Sequence, residues 1–369
     1  MISNSMNILV FNWRDIKNPS AGGAEKYIHE IFKRLSNKSN KITLLTSAFK
    51  GCRKKEIIDG IKVIRIGGRY SVYLKARKYY QKYLSKNNYD LIIDSINTIP
   101  FFTPDFIKDK NIISIIYQLA QEFWFYETKF PINLVGYHLL ENWWLKRYTN
   151  IPVITISDST KEELASLGFK SIYIVPIGLS VEPLEKLKAR NKDILLFIGR
   201  LTRAKKPFDI IKAFSLVAGK FPDSELLIMG RGYLEQRLRK YCKVLGCDSK
   251  VKFLGFLSEE DKTKIIRKAK LLLVAGVREG WGMTVTEANA SGVPAIGYNI
   301  PGIRDSIIDG KTGLLSNPNP ISMAEKIVDF LEEKSLSKKF SMNALEYSKR
   351  FSWDISAKKF NELIVNYLF

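Results

Sequence analysis

Two carboxylates eight positions apart, Glu279 and Glu287, bracket a Gly280-Trp281-Gly282 turn within Arg278–Glu287, a segment that runs on through Ala-Asn-Ala-Ser-Gly-Val-Pro294. Carboxylates accept hydrogen bonds from sugar hydroxyls, and glycines let backbone N–H groups come close to an anion. The apolar run Leu271 to Val274 ahead of the turn reads as a buried strand, and a helix is expected from Thr284, giving the order strand, glycine loop, helix. That order aims backbone N–H groups and the positive end of a helix at the mouth of an α/β crevice, a place suited to phosphate. The same residues also spell a capping box, Thr284-x-x-Glu287, which needs no ligand. Either assignment fits the residues taken alone.

Two further glycine-bearing segments follow strand-like runs. Pro19-Ser-Ala-Gly22-Gly23-Ala-Glu25 comes after the first strand and leads into a helix, so Gly22 and Gly23 let the backbone approach an anion there. Gly199-Arg200-Leu-Thr-Arg-Ala-Lys205-Lys206 ends the strand that opens the second half. Arg200 and Lys205 can clamp a diphosphate, with Lys206 the neighbour able to substitute; a solvated basic cluster is the simpler assignment. Other chemistries lack their residues. There is no Asp-x-Asp to hold a metal-bound diphosphate and no Gly-x-x-x-x-Gly-Lys-Ser/Thr loop. Gly230-Arg-Gly232 supplies two glycines of a dinucleotide fingerprint but has Leu234-Glu235 where the third belongs, and Gly-x-Ser-x-Gly is missing.

These segments need a scaffold of alternating strands and helices, and the chain provides it twice. Strands are expected near Ile8–Phe11, Ile42–Thr46, Lys62–Ile66, Leu91–Asp94, Ile112–Ile116, Val153–Ser157 and Ile172–Val175, with helices at Ala24–Leu35, Val72–Leu84 and Ser159–Leu167. After a polar stretch the pattern resumes with strands at Ile194–Ile198, Glu225–Met229, Lys252–Leu254, Lys270–Val274, Pro294–Tyr298 and Thr312–Leu315. The intervening helices fall near Pro207–Ala218, Leu234–Leu245, Ser258–Ala269 and Thr284–Ser291. The expected fold class is α/β, two Rossmann-like domains facing each other across a cleft: residues 1–178 and 193–352, joined by a linker at 179–192. The final helix, 353–369, is expected to pack back on the first domain, burying Trp353, Phe360, Ile364 and Leu368.

An apolar fraction of 46% with 26% charged residues fits a globular protein, and no apolar run reaches the length of a membrane span. The opening residues lack the flanks of a signal peptide, so a cytoplasmic location is expected. Cys52, Cys242 and Cys247 are odd in number and not spaced as metal pairs, and only His29 and His138 are present, so neither a disulfide framework nor a metal centre is expected. The net charge is +22, and residues 50–86 hold 12 basic against 2 acidic residues. That segment ends in a tyrosine-rich basic helix, Arg69 to Leu84, suited to an anionic membrane surface or an acidic substrate; a solvated lysine-rich face explains it equally well. Nucleic acid is not expected as a partner, because its binding needs none of the glycine loops or paired carboxylates.

Glu279-x7-Glu287, Gly199-Arg-Leu-x3-Lys205, Gly22-Gly-Ala-Glu25 and Pro301-Gly-Ile-Arg-Asp-x3-Asp-Gly-Lys-Thr-Gly-Leu together resemble the retaining GT-B glycosyltransferases of family 4, over nearly the whole chain. The resemblance implies a UDP- or GDP-sugar donor held mainly by the second domain and a glycan or lipid-linked saccharide acceptor held by the first, with retention of configuration, no cofactor and no metal. It implies that Glu279 holds the transferred sugar, that Glu287 binds the ribose diol, and that Arg200 and Lys205 bind the diphosphate. Gly282 and the amides of Met283 and Thr284 would join the phosphate contacts, with Gly22 and Gly23 facing the donor from the first domain. Gly230, Gly232 and the run Phe253 to Gly255 would lie beside the base. Many relatives carry a histidine at the reaction centre where this chain has Tyr117, followed by Gln118. Tyr117 can donate and accept a hydrogen bond but is a poor base near neutral pH; an aromatic core residue at a strand end is the other assignment. A nucleotide-sugar epimerase or a phosphorolytic enzyme of the same fold is the alternative function. A peripheral location on the inner face of the cell membrane is the expectation for a lipid-linked acceptor.

Overall fold

Runs rich in Ile, Leu and Val, such as Leu91–Ile96 and Leu271–Val274, are buried along their whole length, as strands covered on both faces require. The computed structural model describes residues 5–37, 40–187, 190 and 192–368. The chain divides into two compact units. One contains Met1–Trp124, Phe130–Gly178 and Ser352–Phe369; the other contains Phe125–Lys129 and Leu179–Phe351.

The first unit is built on an eight-stranded sheet of β1 (Asn7–Phe11), β2 (Lys41–Ser47), β3 (Lys55–Ile58), β4 (Ile61–Ile66), β5 (Leu91–Ile96), β6 (Asn111–Ile116), β7 (Val153–Thr155) and β8 (Ile172–Ile174). Their spatial order is β3-β4-β2-β1-β5-β6-β7-β8, parallel except for the antiparallel β3–β4 pair. Strand β3 was not foreseen from the pattern. It forms a hairpin with β4 through Asp59-Gly60, both at positive φ (47° and 82°), the conformation of a two-residue type I′ turn. Helix α1 (Gly23–Ser36) follows β1, and helix α2 (Ser71–Tyr79) follows β4. The regular helix expected to Leu84 instead opens into a π-turn over Tyr80–Leu84. The buried stripe Val72, Ala76, Tyr80 and Leu84 is spaced by four, which overshoots the 3.6-residue period. A wider turn brings Leu84 back into line, and the Ser85 N–H accordingly bonds the Tyr80 carbonyl at 2.8 Å.

The second unit is a fully parallel sheet of β9 (Ile194–Ile198), β10 (Glu225–Met229), β11 (Val251–Gly255), β12 (Leu271–Val274), β13 (Ala295–Tyr298) and β14 (Gly313–Ser316). Its order, β11-β10-β9-β12-β13-β14, runs outward from β9 in both directions. The chain therefore reverses its progress between β9 and β12, and the loops that leave these two strands flank the crevice where doubly wound sheets bind ligands. Helix α3 (Glu259–Lys268) precedes β12, and helix α4 (Met283–Ala290) follows it. Within the expected linker, Leu184 N–H bonds the Ala290 carbonyl at 2.9 Å and Arg190 bonds the Gly292 carbonyl at 3.0 Å. This stretch is thus folded onto the second unit; residues 188, 189 and 191 of it lie outside the described residues.

The last helix, α5 (Trp353–Leu368), belongs to the first unit and packs on α1. Phe360 meets Phe32 edge-on with ring centres 5.4 Å apart, and Asp354 pairs with Arg34 at 2.6 Å. Trp353, Phe360 and Ile364 are buried there; Phe369 lies outside the described residues.

Candidate active site

The loops after β9 and β12 bring two of the expected residues together. The β9 loop ends in a short 3-10 turn, Arg203–Lys205, and the β12 loop carries Glu279; the Lys205 ammonium pairs with the Glu279 carboxylate. Both side chains keep some exposure, 23% and 16%, as a pair at the edge of a crevice would. Backbone contacts set the alignment. Val277 N–H bonds the Ala204 carbonyl at 2.9 Å, and Glu279 N–H reaches the Pro301 carbonyl at 3.2 Å. Gly302, at φ 81°, lies so close to Glu279 that any β-carbon there would collide with the Glu279 carbonyl oxygen. The Pro301-Gly302 segment is therefore a brace behind the carboxylate.

Helix α4 starts at Met283, with Gly282 as its cap in the left-handed region (φ 82°). This placement rules out the capping box that Thr284 and Glu287 spell. Thr284 is already inside the helix, and the cap residue is a glycine without a side chain to offer. The first-turn amides of Met283 and Thr284 precede the helical hydrogen-bond ladder and point outward, the arrangement that suits an anion. Trp281 fixes the entry to the helix: its indole N–H donates to Thr286 Oγ1 at 2.8 Å, and its ring meets Phe351 edge-on at 5.5 Å.

Glu287 is buried (5% exposed) and pairs with Lys262 of α3 at 3.1 Å. Lys262 also reaches Glu259 at 2.8 Å. Burial works against the Lys262 charge, but Glu287 and then Glu259 outweigh it, and the ammonium is held above its ordinary value. Glu279 and Glu287 thus each face a lysine. Lys262 carries no signal in the sequence, since its pairing with a residue 25 positions away arises only from the packing of α3 beside α4.

Arg200 is exposed at the end of β9. Lys206 turns away from Glu279: its backbone is left-handed (φ 45°), and its ammonium lies 3.8 Å from Asp209 and over the Tyr298 ring. It is not positioned to stand in for Lys205. Gly230 and Gly232 have a structural task that precedes any ligand. A β-carbon on either would collide with the carbonyls of Gly199 and Leu201, because the segments leaving β9 and β10 continue to pair there. Gly199 N–H bonds Met229 and Leu201 N–H bonds Arg231, each at 3.0 Å, while Gly230 N–H bonds the carbonyl of Gly255 at the end of β11.

In the first unit, Gly22 caps α1 in an extended conformation and Gly23 is its first residue. Buried Glu25 holds the turn, accepting from the Gly22 N–H at 2.7 Å and from Arg14 at 3.0 Å. Tyr117 follows β6 and is buried (7% exposed). Its hydroxyl bonds Ser95 at 3.0 Å and its ring meets Tyr27 edge-on at 5.6 Å. Burial pushes its hydroxyl well above the usual tyrosine range, partly offset by the bond to Ser95. This is the packing of a core aromatic whose hydroxyl already has a partner. Gln118 is half-buried beside it. The loop that follows is held by Glu141, a buried carboxylate that accepts from the N–H groups of Ala120 (2.5 Å) and Gln121 (2.7 Å). A lone carboxylate in the apolar run Leu139-Leu-Glu141-Asn-Trp-Trp144 was the sequence signal for this brace.

Two family models match this chain side by side: Glycosyltransferase Family 4 over residues 21–183 and Glycosyl transferases group 1 over residues 182–347. The chain belongs to the group 1 glycosyltransferases of GT-B fold. An uncharacterized glycosyltransferase of Methanocaldococcus jannaschii is 30% identical over 243 residues, 60% of this chain and 61% of that protein. The chain spans less than two thirds of the length of the first curated relatives it matches. Among solved structures, sucrose-phosphate synthase from Thermosynechococcus elongatus superposes with a TM-score of 0.81 at 18% identity, covering 98% of both chains. HepE of Anabaena, solved with UDP and glucose, superposes with a TM-score of 0.73 at 16% identity, covering 98% of this chain and all of that one. These likenesses establish the fold.

Proposed function

We propose that this protein transfers a sugar from a UDP- or GDP-linked donor to a hydroxyl of a glycan or lipid-linked saccharide, with retention of configuration and without a metal ion. The observation that carries the reading is the meeting of Lys205 and Glu279 at the switch point between β9 and β12, beside the N-terminus of α4. The occurrence of UDP and glucose with HepE, a protein of the same fold, supports the choice of donor class. In this reading the donor diphosphate lies against Lys205, Arg200 and the amides of Met283 and Thr284. Glu279 accepts hydrogen bonds from the hydroxyls of the transferred sugar, and Glu287 from the ribose diol.

The reaction then follows from charge. The bond between the anomeric carbon and the phosphate oxygen breaks, and the negative charge that develops on the nucleoside diphosphate is met by groups already in place, the effect that usually contributes most to catalysis. The acceptor oxygen bonds the anomeric carbon, and its proton passes to the leaving phosphate oxygen. No side chain is needed as a nucleophile. The test is a panel of UDP- and GDP-sugars in a thermal-shift assay, followed by nucleoside diphosphate release with saccharide acceptors. A rise in melting temperature with one donor, and acceptor-dependent turnover of that donor, are the expected results. Failure of every nucleotide sugar to bind at millimolar concentration would overturn the reading, and turnover without acceptor would favour an epimerase or phosphorolytic enzyme.

A further inference from the structure

The β3–β4 hairpin and one face of the α2 helix with its π-turn enclose an open groove of about 500 Å³ in the first unit, within the size range of small-molecule sites. Five lysines line it: Lys54 and Lys55 from the hairpin side, and Lys75, Lys78 and Lys82 from the helix. The helical three recur at intervals of three and four and so share a face. None of the five has an ion-pair partner among the described residues. The carboxylates of the neighbourhood are engaged elsewhere: Glu56 by Lys17 (2.7 Å) and Arg65 (2.5 Å), Asp15 by Arg65 (2.7 Å), and Asp59 by His29 (2.9 Å). Arg65 borders the groove, yet its guanidinium is spent on Asp15 and Glu56.

The floor of the groove is apolar. Ile64 and Ile66 come from β4, and Tyr79 and Tyr83 from the helix, their ring centres 4.8 Å apart. Five uncompensated cations around such a floor repel one another, and a concave wall of low polarity concentrates their field on an incoming anion. Lysine is a point charge on a flexible stem and a common partner of phosphate, and five of them on one hollow suit the multiple charge of a phosphate ester or diphosphate better than the single charge of a carboxylate. The one arginine of this helix, Arg77, points away from the groove, over the Phe106 ring at 5.8 Å. Convergence of charge on a hollow also differs from a flat bilayer contact, in which cations and rings project outward.

We infer that this groove binds one phosphate- or diphosphate-bearing molecule with an apolar body, its anionic group on the lysines and its apolar part on Tyr79, Tyr83 and Ile66. That this molecule is the acceptor rests on the transferase reading; that the groove binds it does not.

Calorimetry on the full chain at low salt tests this, with inorganic pyrophosphate, with decyl phosphate below its micelle concentration, and with vesicles of mixed neutral and anionic lipid. One decyl phosphate per chain is expected, bound more tightly than pyrophosphate. The triple change K54Q/K78Q/K82Q is expected to weaken both soluble probes about tenfold or more. Tyr79→Ala is expected to weaken decyl phosphate and leave pyrophosphate unchanged. All four positions have side chains at the surface of the groove, and a melting curve confirms folding of each variant. Binding to anionic vesicles with none to the soluble probes would overturn the proposal in favour of a membrane-facing surface. Unchanged affinity in the triple variant would overturn it as well. Nucleotide-sugar binding measured in parallel separates the two proposals: a chain that binds the donor but neither phosphate probe sinks the groove alone, and the reverse result sinks the donor site alone.

Discussion

Glu279 and Glu287 face lysines in different surroundings, and that difference predicts different failures. In the proposed donor pose Glu279 lies beside the bond that breaks, so Glu279→Gln is expected to lower kcat by about a hundredfold, the scale of losing one group aimed at the reacting centre. Glu287 would hold the ribose, remote from the chemistry, so Glu287→Gln is expected mainly to raise the donor KM. Lys262→Gln removes a partner that orients Glu287 and is expected to raise the same KM with little change in kcat; breaking this largely buried pair also costs stability, about 3 kcal/mol. Steady-state kinetics over donor concentration check all three. Equal loss of kcat in every variant would mean that the segment is a folding element only. Tyr117→Phe makes the opposite case. It removes only the hydroxyl bond to Ser95, so a stability loss of about 1 kcal/mol with kcat nearly unchanged is expected in denaturation and rate measurements. A large fall in kcat would return that hydroxyl to the reaction centre.

Elements, more than single side chains, decide where the Glu279 carboxylate stands. Gly302 touches no proposed ligand, yet its positive φ and its closeness to the Glu279 carbonyl leave no space for a β-carbon. Gly302→Ala is expected to move the Glu279 loop, lowering kcat by about tenfold or more and stability by about 2 kcal/mol, read by turnover and by denaturant midpoint. A variant with unchanged activity would show that the brace is not needed. At this scale the sequence was informative wherever one local rule governs. Buried parallel strands announce themselves by apolar runs, and the strand, glycine loop and helix around Gly282 follow from residue order. The sequence was silent where two distant segments decide together. Lys55–Ile58 reads as a polar stretch until the Asp59-Gly60 turn folds it onto β4, and that dipeptide was the signal available. The π-turn at Tyr80 keeps the four-residue stripe Val72, Ala76, Tyr80 and Leu84 in one core with Leu9, Leu45 and Ile64, a demand that shows only once the sheet is in place. The family resemblance pointed to Glu287 as a ligand residue, but only the packing of α3 reveals Lys262 as its partner.

At the scale of the whole chain, positive charge is abundant, +22 net, and in the proposed donor site it comes from side chains and helix amides. Lys205, Arg200 and the first turn of α4 can neutralise a diphosphate directly, so saturating EDTA is expected to leave the transfer rate nearly unchanged; abolition that Mg²⁺ or Mn²⁺ restores would overturn that account of the site.

The chain also has to return to its first unit to finish it. Trp353 is buried (2% exposed), lies edge-on to Tyr27 at 6.0 Å, and sits so close to Gly178 that a β-carbon there would collide with the Trp353 backbone. Tyr27 in turn meets Tyr117, so the terminal helix closes the same aromatic cluster that supports the end of β6. Trp353→Ala is expected to cost about 3–5 kcal/mol, the usual loss for emptying a large buried aromatic site. Denaturant melts of the full chain measure it, with nucleotide-sugar affinity determined on the fraction that stays folded. Since Trp353 lies in the first unit and the proposed donor residues Lys205, Glu279 and Glu287 in the second, that affinity is expected to persist while stability falls. A loss below about 1 kcal/mol would show that the returning helix contributes little to the core it covers.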